Sequence, residues 1–531
     1  MPSSAKSPAV GARARWLLAV VSLAAVALPF VLVRVPPSTD LAQQVAQVRL
    51  LGDVLAGGDA AATYRVDWLA PNRLSYALLG ASWLAVGPEH AGRVALLVLV
   101  LVWVGGLHAL AASRGRSAAA TTLASVLVFH HALYWGYYGF LLGFPCFALW
   151  LHLLTAGSGD EDSAPAGSAR LAALAGTSLL LYAAHVLWLG PALVAFGLDA
   201  WRRRRALRTV ALRVLSLLPI AALVALWYPT LPARFGAATV WGPTPWQRAT
   251  SPWLVDAAFG GLRGPLEGVF FIVVVSWLVA AFALWALGRR SVTDAAKTVE
   301  TPAQSVDPML IAVGALLVAF ALVLPARYSL VLHFDSRWMA PGLALLLLAA
   351  PPLRPASEPP FGARGSVTAL LAVALLGVFV VVTGAGWFVF ERAELAGFED
   401  ALSALPDEPR LLGLDHQRTS AVVEAAPFYQ LFAYGQVLRG GTLNFSFADL
   451  ATSLVTYREP RMPGYSPATQ DLPWRWTPGL EWHPERLRSA DLEHFSHVLV
   501  HGGEEVQQRF AANPRLEPLS TVGTWHLYAV E

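Results

Sequence analysis

Long apolar runs joined by short, arginine-bearing connections occupy most of the first 390 residues. They extend from Trp16 to Val33, His90 to Ala112, Ala118 to Leu133, Phe140 to Leu154, Leu171 to Ala184, Val186 to Ala200, Val210 to Tyr228, Val269 to Leu287, Met309 to Leu324, Met339 to Ala350 and Val367 to Phe390. Most approach the roughly twenty residues a helix needs to cross a bilayer core, which predicts a polytopic α-helical membrane protein with about 11 transmembrane helices. Lys6, Arg13 and Arg15 precede the first run, and "RVPPSTD" follows it in place of a small-residue cleavage site. That run therefore reads as a retained helix behind a cytoplasmic tail, residues 1–14.

Alternating the runs puts "SRGRS" (113–117), "WRRRRALR" (201–208), "GRR" (288–290) and "LRP" with "GARG" (353–365) on the side of the N-terminus. This is the basic bias of cytoplasmic loops, and it predicts a multi-pass protein of the plasma (inner) membrane. The acidic stretch "GSGDEDSAPAGS" falls on the same side and carries little weight in orientation. Outside lie a first loop, 36–89, a Trp-rich second loop, 230–267, and everything from 391 to 531. In that tail the apolar period changes. "PRLLGLD", "SHVLVHG" and "TWHLYAVE" read as buried strands, with helices at "ELAGFEDALSAL" and "GEEVQQRFAAN" between them, so a small extracytoplasmic α/β domain is expected.

The first outer loop opens on "VRVPPSTDLAQQVAQVRLLGDVL", residues 33–55. Leu41, Val45, Val48 and Leu55 share one helical face, and Gln43, Gln44, Gln47 and Arg49 fill the remainder, a pattern for a helix lying on the membrane surface. A second half-apolar helix is expected over Leu74 to Val86. Asp40 starts the first. It is an N-cap candidate with Gln43 at capping-box spacing, and a rigid capping carboxylate would also be well placed for chemistry.

Composition narrows the function classes. With 56% hydrophobic and 14% charged residues the chain is too apolar to cover a soluble surface. A net charge of +3, held by arginines in the connections, serves topology and excludes a nucleic-acid reading. One cysteine, Cys146, excludes an intramolecular disulfide framework, and the lack of a G-x-x-x-x-G-K-[ST] loop excludes nucleotide-driven transport. His494, His497 and His501 do not form a ligand set: the last two share a strand face, but His494 belongs to the preceding turn. No cofactor is expected; a divalent metal is compatible but not indicated.

"TDLAQQVAQ", "VDWLAPNRLSYALLG" and "EHAGRVALLVLV", then "YYGFLLGFPCFALW", "HFDSRWMAPGLALLLLA" and the "TWHLYAV" ending, resemble the membrane-embedded glycosyltransferases of the GT-C class, in particular its uncharacterised bacterial members. The resemblance implies transfer of a sugar from a polyprenyl-phosphate donor to an acceptor at the outer face, the acceptor being unspecified. Phosphate leaves readily, so the chemistry needs a base for the acceptor proton and cations for the phosphate oxygens. Asp40 is the candidate base, with Asp67 in reserve. Many such enzymes pair acids here or follow Asp with His; this chain has no adjacent acid, and Gln44 stands where the histidine would.

Arg327 and Arg337, flanking "YSLVLHFDS", are candidate phosphate ligands, with Asp335 placed to pair with Arg337. His185, Gln44 and Tyr138 complete the candidate substrate-binding set. Each has a plainer role open to it: Asp67 as a turn or ion-pair residue, the arginines snorkelling, His185 packing, and the tyrosines and tryptophans forming an interfacial belt. Two other functions stay open: a transporter or flippase of lipid-linked polar cargo, and an inactive GT-C-like envelope scaffold. Against the transporter, charges gather at the ends of the runs and leave their middles apolar.

Overall fold

The chain is described here by a computed structural model, which covers residues 8–156, 168–203, 207–230, 239–290, 306–328, 331–353, 363–450, 452–458 and 489–531. Its principal helices begin with α1 (Pro8–Leu32), α2 (Leu41–Ala56), α3 (Arg73–Val86), α4 (Pro88–Ser113) and α5 (Tyr138–Thr155). They continue with α6 (Leu189–Arg202), α7 (Leu266–Arg290), α8 (Pro308–Val323), α9 (Met339–Ala349) and α10 (Ala363–Val389). Local chemistry sets their starts. Pro88 and Pro308 occupy first-turn positions where a missing N–H costs nothing, and the Asp307 carboxylate accepts from Met309 N and Leu310 N at 3.0 and 3.1 Å.

Among the described residues five helices are long and apolar enough to cross a membrane, or six if the bent pair Leu207–Leu215 and Leu218–Thr230 forms one span. This is an integral membrane protein, but length alone does not reach eleven crossings. The shortfall has a physical cause. The run predicted from Ala118 to Leu133 breaks into a helix (Ala118–Ala124), a 3₁₀ turn (Ser125–Val128) and a further helix (His131–Trp135). Every side chain from Ala119 to Tyr134 is buried in protein. The short α9 is enclosed in the same way. An apolar run buried by neighbouring helices looks like one buried by lipid.

The connections sort to two ends of the bundle. At one, Arg114 Nη1 meets Asp307 Oδ2 at 2.8 Å, Arg213 Nη1 meets Asp199 Oδ2 at 3.0 Å, and Arg116 donates to the Leu348 and Ala349 carbonyls at 2.8 and 2.7 Å. At the other, Thr39 N donates to Tyr134 O at 2.8 Å and Arg263 N to Val422 O at 2.8 Å. The described arginines of two predicted connections, 113–117 and 201–208, thus gather at the end away from Asp40 and the tail. The acidic stretch at 157–167, together with Arg204 and Arg205, lies outside the described residues.

The tail builds a five-stranded sheet in the order Thr442–Leu443, Arg410–Asp415, His497–His501, Trp525–Val530, Leu516–Val522. The first three strands are parallel and the others antiparallel. The strand predictions at 410–415, 497–501 and 525–530 match, as do helices at Phe398–Ser403 and Glu504–Ala511. Its core is continuous with the bundle, since Phe398 and Trp525 belong to the same apolar cluster as Trp103, Phe129 and Trp387.

Helix α2 does not lie on the membrane surface. Leu41 to Val48 are buried, glutamines included, because the tail closes over the polar face. Gln43 donates to Phe445 O and accepts from Phe447 N, both at 3.0 Å, and Gln47 accepts from Val455 N at 2.8 Å. Buried amides need such partners, so the glutamines mark a protein-docking face.

Candidate functional site

Asp40 opens α2 but does not cap it. Its carboxylate makes no capping bond, and among the described residues it accepts no hydrogen bond and forms no ion pair. Gln43, expected to close the capping box, is committed to the tail. The backbone around Asp40 is held firmly instead. Ser38 Oγ donates to Leu133 O at 2.6 Å and bonds the Tyr138 hydroxyl at 2.7 Å, while Thr39 N reaches Tyr134 O.

Gly136 packs directly behind the acid. It ends the helix His131–Trp135 in a left-handed conformation, φ +88°, and a β-carbon there would fall 2.5 Å from Asp40 Cβ. Gln44 Nε2 donates to Gly136 O at 2.6 Å, tying α2 to this turn. Of the sequence candidates, Gln44 and Tyr138 are therefore struts for the Asp40 backbone. Burial pushes the Asp40 carboxyl up to about 7, with the Arg337 cation acting against the rise. A half-buried carboxylate with a pKa near neutrality and no bonding partner is suited to accept a proton.

Arg337 lies on the turn before α9. Its Nε donates to Leu332 O and His333 O, both at 3.2 Å, its Nη2 donates to Leu332 O at 2.6 Å, and its guanidinium covers the Tyr137 ring at 3.5 Å. Two carbonyls and a ring fix the plane of the cation. His333 adopts φ +50°, unusual for a residue with a side chain, which turns the 332 and 333 carbonyls onto Arg337. The His333 ring is wedged 4.4 Å from both His131 and Trp135. Burial, then Arg337, pushes the His333 imidazole down to about 4, so it is neutral at physiological pH.

The remaining candidates are placed as follows. His185 is buried, its Nδ1 accepts from Leu187 N at 3.3 Å to cap a 3₁₀ turn, and its ring meets the edge of Phe140. Burial, then Arg337, pushes it down to about 3, so it lies within the same electrostatic neighbourhood. Asp67 accepts from Leu69 N and Ala70 N at 2.9 and 3.2 Å and faces Arg73 at 3.9 Å, the plainer of its two readings. Arg327 sits in a small three-stranded sheet, in register with Val240 and Leu332. Asp335 pairs not with Arg337 but with Arg248, at 2.9 Å. Arg248 is buried because it also donates to the Ala321, Leu322 and Leu324 carbonyls at the end of α8.

Gly136, Gly139 and Gly143 in "YWGYYGFLLG" are legible in the sequence as points of close backbone approach, but sequence reasoning missed that Gly136 stands behind Asp40, that His333 clamps Arg337 and that Arg248 partners Asp335. Histidines in "FHHALYWG" and "VLHFD", each beside aromatics, were the available signal. Among the described residues no three His, Cys, Asp or Glu side chains are grouped to hold a metal ion.

No family model matches the chain, and no curated protein matches it. Among solved structures, ArnT from Cupriavidus metallidurans bound to undecaprenyl phosphate superposes with a TM-score of 0.52, covering 98% of each chain at 12% identity. The apo structure of ArnT gives 0.46 at the same coverage. ArnT is a GT-C glycosyltransferase. The chain has the GT-C fold. Within this GT-C fold, the start of the first loop, the 131–138 segment and the turn before α9 converge on one acid and one arginine.

Proposed function

We propose that the protein is a membrane glycosyltransferase that moves a sugar from a polyprenyl-phosphate donor to an acceptor at the extracytoplasmic face, working through about eleven membrane passes. The observation that carries this reading is Asp40: an unbonded carboxylate, on a backbone fixed from three sides, raised to about 7 beside the Arg337 cation. The GT-C fold supports it, as does the undecaprenyl phosphate bound to ArnT.

In the reaction Asp40 takes the proton of the acceptor's nucleophilic group as that group bonds to the anomeric carbon. The bond from that carbon to the phosphate oxygen breaks, and the electron pair stays on the phosphate. Arg337 faces the charge that develops there, and its fixed plane means no reorganisation is needed at that moment. Gln44 and Tyr138 act by holding the base in place. This reading includes no metal and no organic cofactor.

Asp40→Asn tests it. The carboxylate makes no bond that the amide would lose, so the variant should fold, yet transfer in a lipid-linked sugar assay should fall by roughly 10²–10⁴-fold. Undiminished transfer removes Asp40 as the base. Movement of a labelled lipid across liposomes without glycosidic bond formation would replace the enzyme with a transporter.

A further inference from the structure

At the arginine-bearing end, away from Asp40, a cavity of about 310 Å³ is lined by Arg114, Arg116, Arg202, Arg203, Asp199 and Asp307. Its size is at the lower edge of small-ligand sites, roughly 300–1,000 Å³. Four arginines face two aspartates, leaving an excess of two positive charges. Both carboxylates are already engaged. Asp307 pairs with Arg114 at 2.8 Å and caps α8, while Asp199 is shared by Arg203 and Arg213 at 2.9 and 3.0 Å. Arg202 forms no ion pair or hydrogen bond among the described residues, and Arg114 Nε is buried without a partner. Among the described residues, the lining therefore carries more positive charge than its acids neutralise.

Its surroundings indicate which anion. The rim consists of the ends of apolar helices α4, α5 and α6 and the start of α8, and α4 and α5 are each long and apolar enough to cross a membrane. Met309 and Pro308 provide apolar lining, and Trp201, next to Arg202, is 77% exposed, as an interfacial anchor would be. Orienting the chain requires only that arginines occupy these connections. It does not require that they close a cavity whose acids are already spent.

We propose that this cavity binds the phosphate of an anionic membrane lipid, with Arg202 and the remaining N–H groups of Arg203 as ligands and Arg114 and Arg116 adding positive charge to the wall. The site is independent of the transfer reaction. The probe is dioleoyl phosphatidylglycerol against phosphatidylcholine with the same chains, added to the purified full-length protein in detergent and read by native mass spectrometry and thermal shift. Phosphatidylglycerol should persist as a bound adduct and raise Tm; phosphatidylcholine and glycerol 3-phosphate should not.

Arg202→Gln should weaken phosphatidylglycerol binding roughly fivefold. Arg208→Gln changes the same charge at the same end but lies outside the lining, and should leave binding unchanged. Equal retention of both lipids, or equal loss in both variants, overturns the site. A full shift from glycerol 3-phosphate alone overturns the lipid as its source.

Discussion

At the scale of single residues, the ionisation of Asp40 couples stability to activity. Burial lifts its carboxyl from the ordinary carboxylate range to about 7, so the folded protein keeps a proton that the unfolded chain has lost. Native stability therefore declines as pH rises from about 4 towards 7, while the base becomes active over the upper part of that window. Transfer should be half-maximal near pH 7, and Asp40→Asn should flatten the decline in a pH series of melting temperatures. A decline equally steep in the variant would assign it to other groups. Arg337 opposes the lift, so Arg337→Gln should move the midpoint of the pH–rate profile upward and lower kcat by roughly 10²–10³-fold. A lowered rate with an unmoved midpoint would mean that Arg337 serves only the phosphate and not the acid.

At the scale of elements, Gly136 lets two segments approach more closely than side chains allow. Gly136→Ala must place a methyl 2.5 Å from Asp40 Cβ while holding φ +88°, a conformation costing about 1–3 kcal/mol for a residue with a β-carbon. Melting temperature and transfer should both fall, and native-like transfer would show that α2 tolerates displacement. Periodicity made much of the architecture legible: the three central strands of the tail, the long helices and the sorting of arginines all follow from it. Three features were not legible, each for a reason of pattern. The glutamine face of α2 reads as solvent-facing because buried amides and wet ones have the same polarity. The run at Ala118–Leu133 reads as a span because protein and lipid are equally apolar. Strand Leu516–Val522 carries mostly exposed side chains and a register shift opposite Tyr528, so its alternation is lost. Asp40 was legible as a candidate because it is the acid at the end of the first apolar run. Its supports were not, since Leu133, Tyr134, Gly136 and Tyr138 reach the Asp40 backbone from a segment nearly a hundred residues further along the chain.

At the scale of the molecule, everything turns on which way the two ends face. Asp40, Gly136, Arg337 and the tail share one end; Arg114, Arg116, Arg202 and Arg203 share the other. Positive charge is retained on the cytoplasmic side, so the Asp40 end should face outward, where lipid-linked sugars would be consumed. Replacing half-buried Cys146 by Ala gives a cysteine-free background on which single exposed positions can be labelled. Thr250→Cys lies in the second loop at the Asp40 end, and Ser113→Cys ends α4 at the other; both positions are exposed. An impermeant maleimide should label Thr250→Cys in intact cells and Ser113→Cys only after permeabilisation. The inverse result would put the acid on the cytoplasmic side. Transfer would then draw on a cytoplasmic donor pool, and the basic cavity would open to the outer leaflet. One labelling experiment therefore bears on the direction of the chemistry and on the leaflet that supplies the bound lipid.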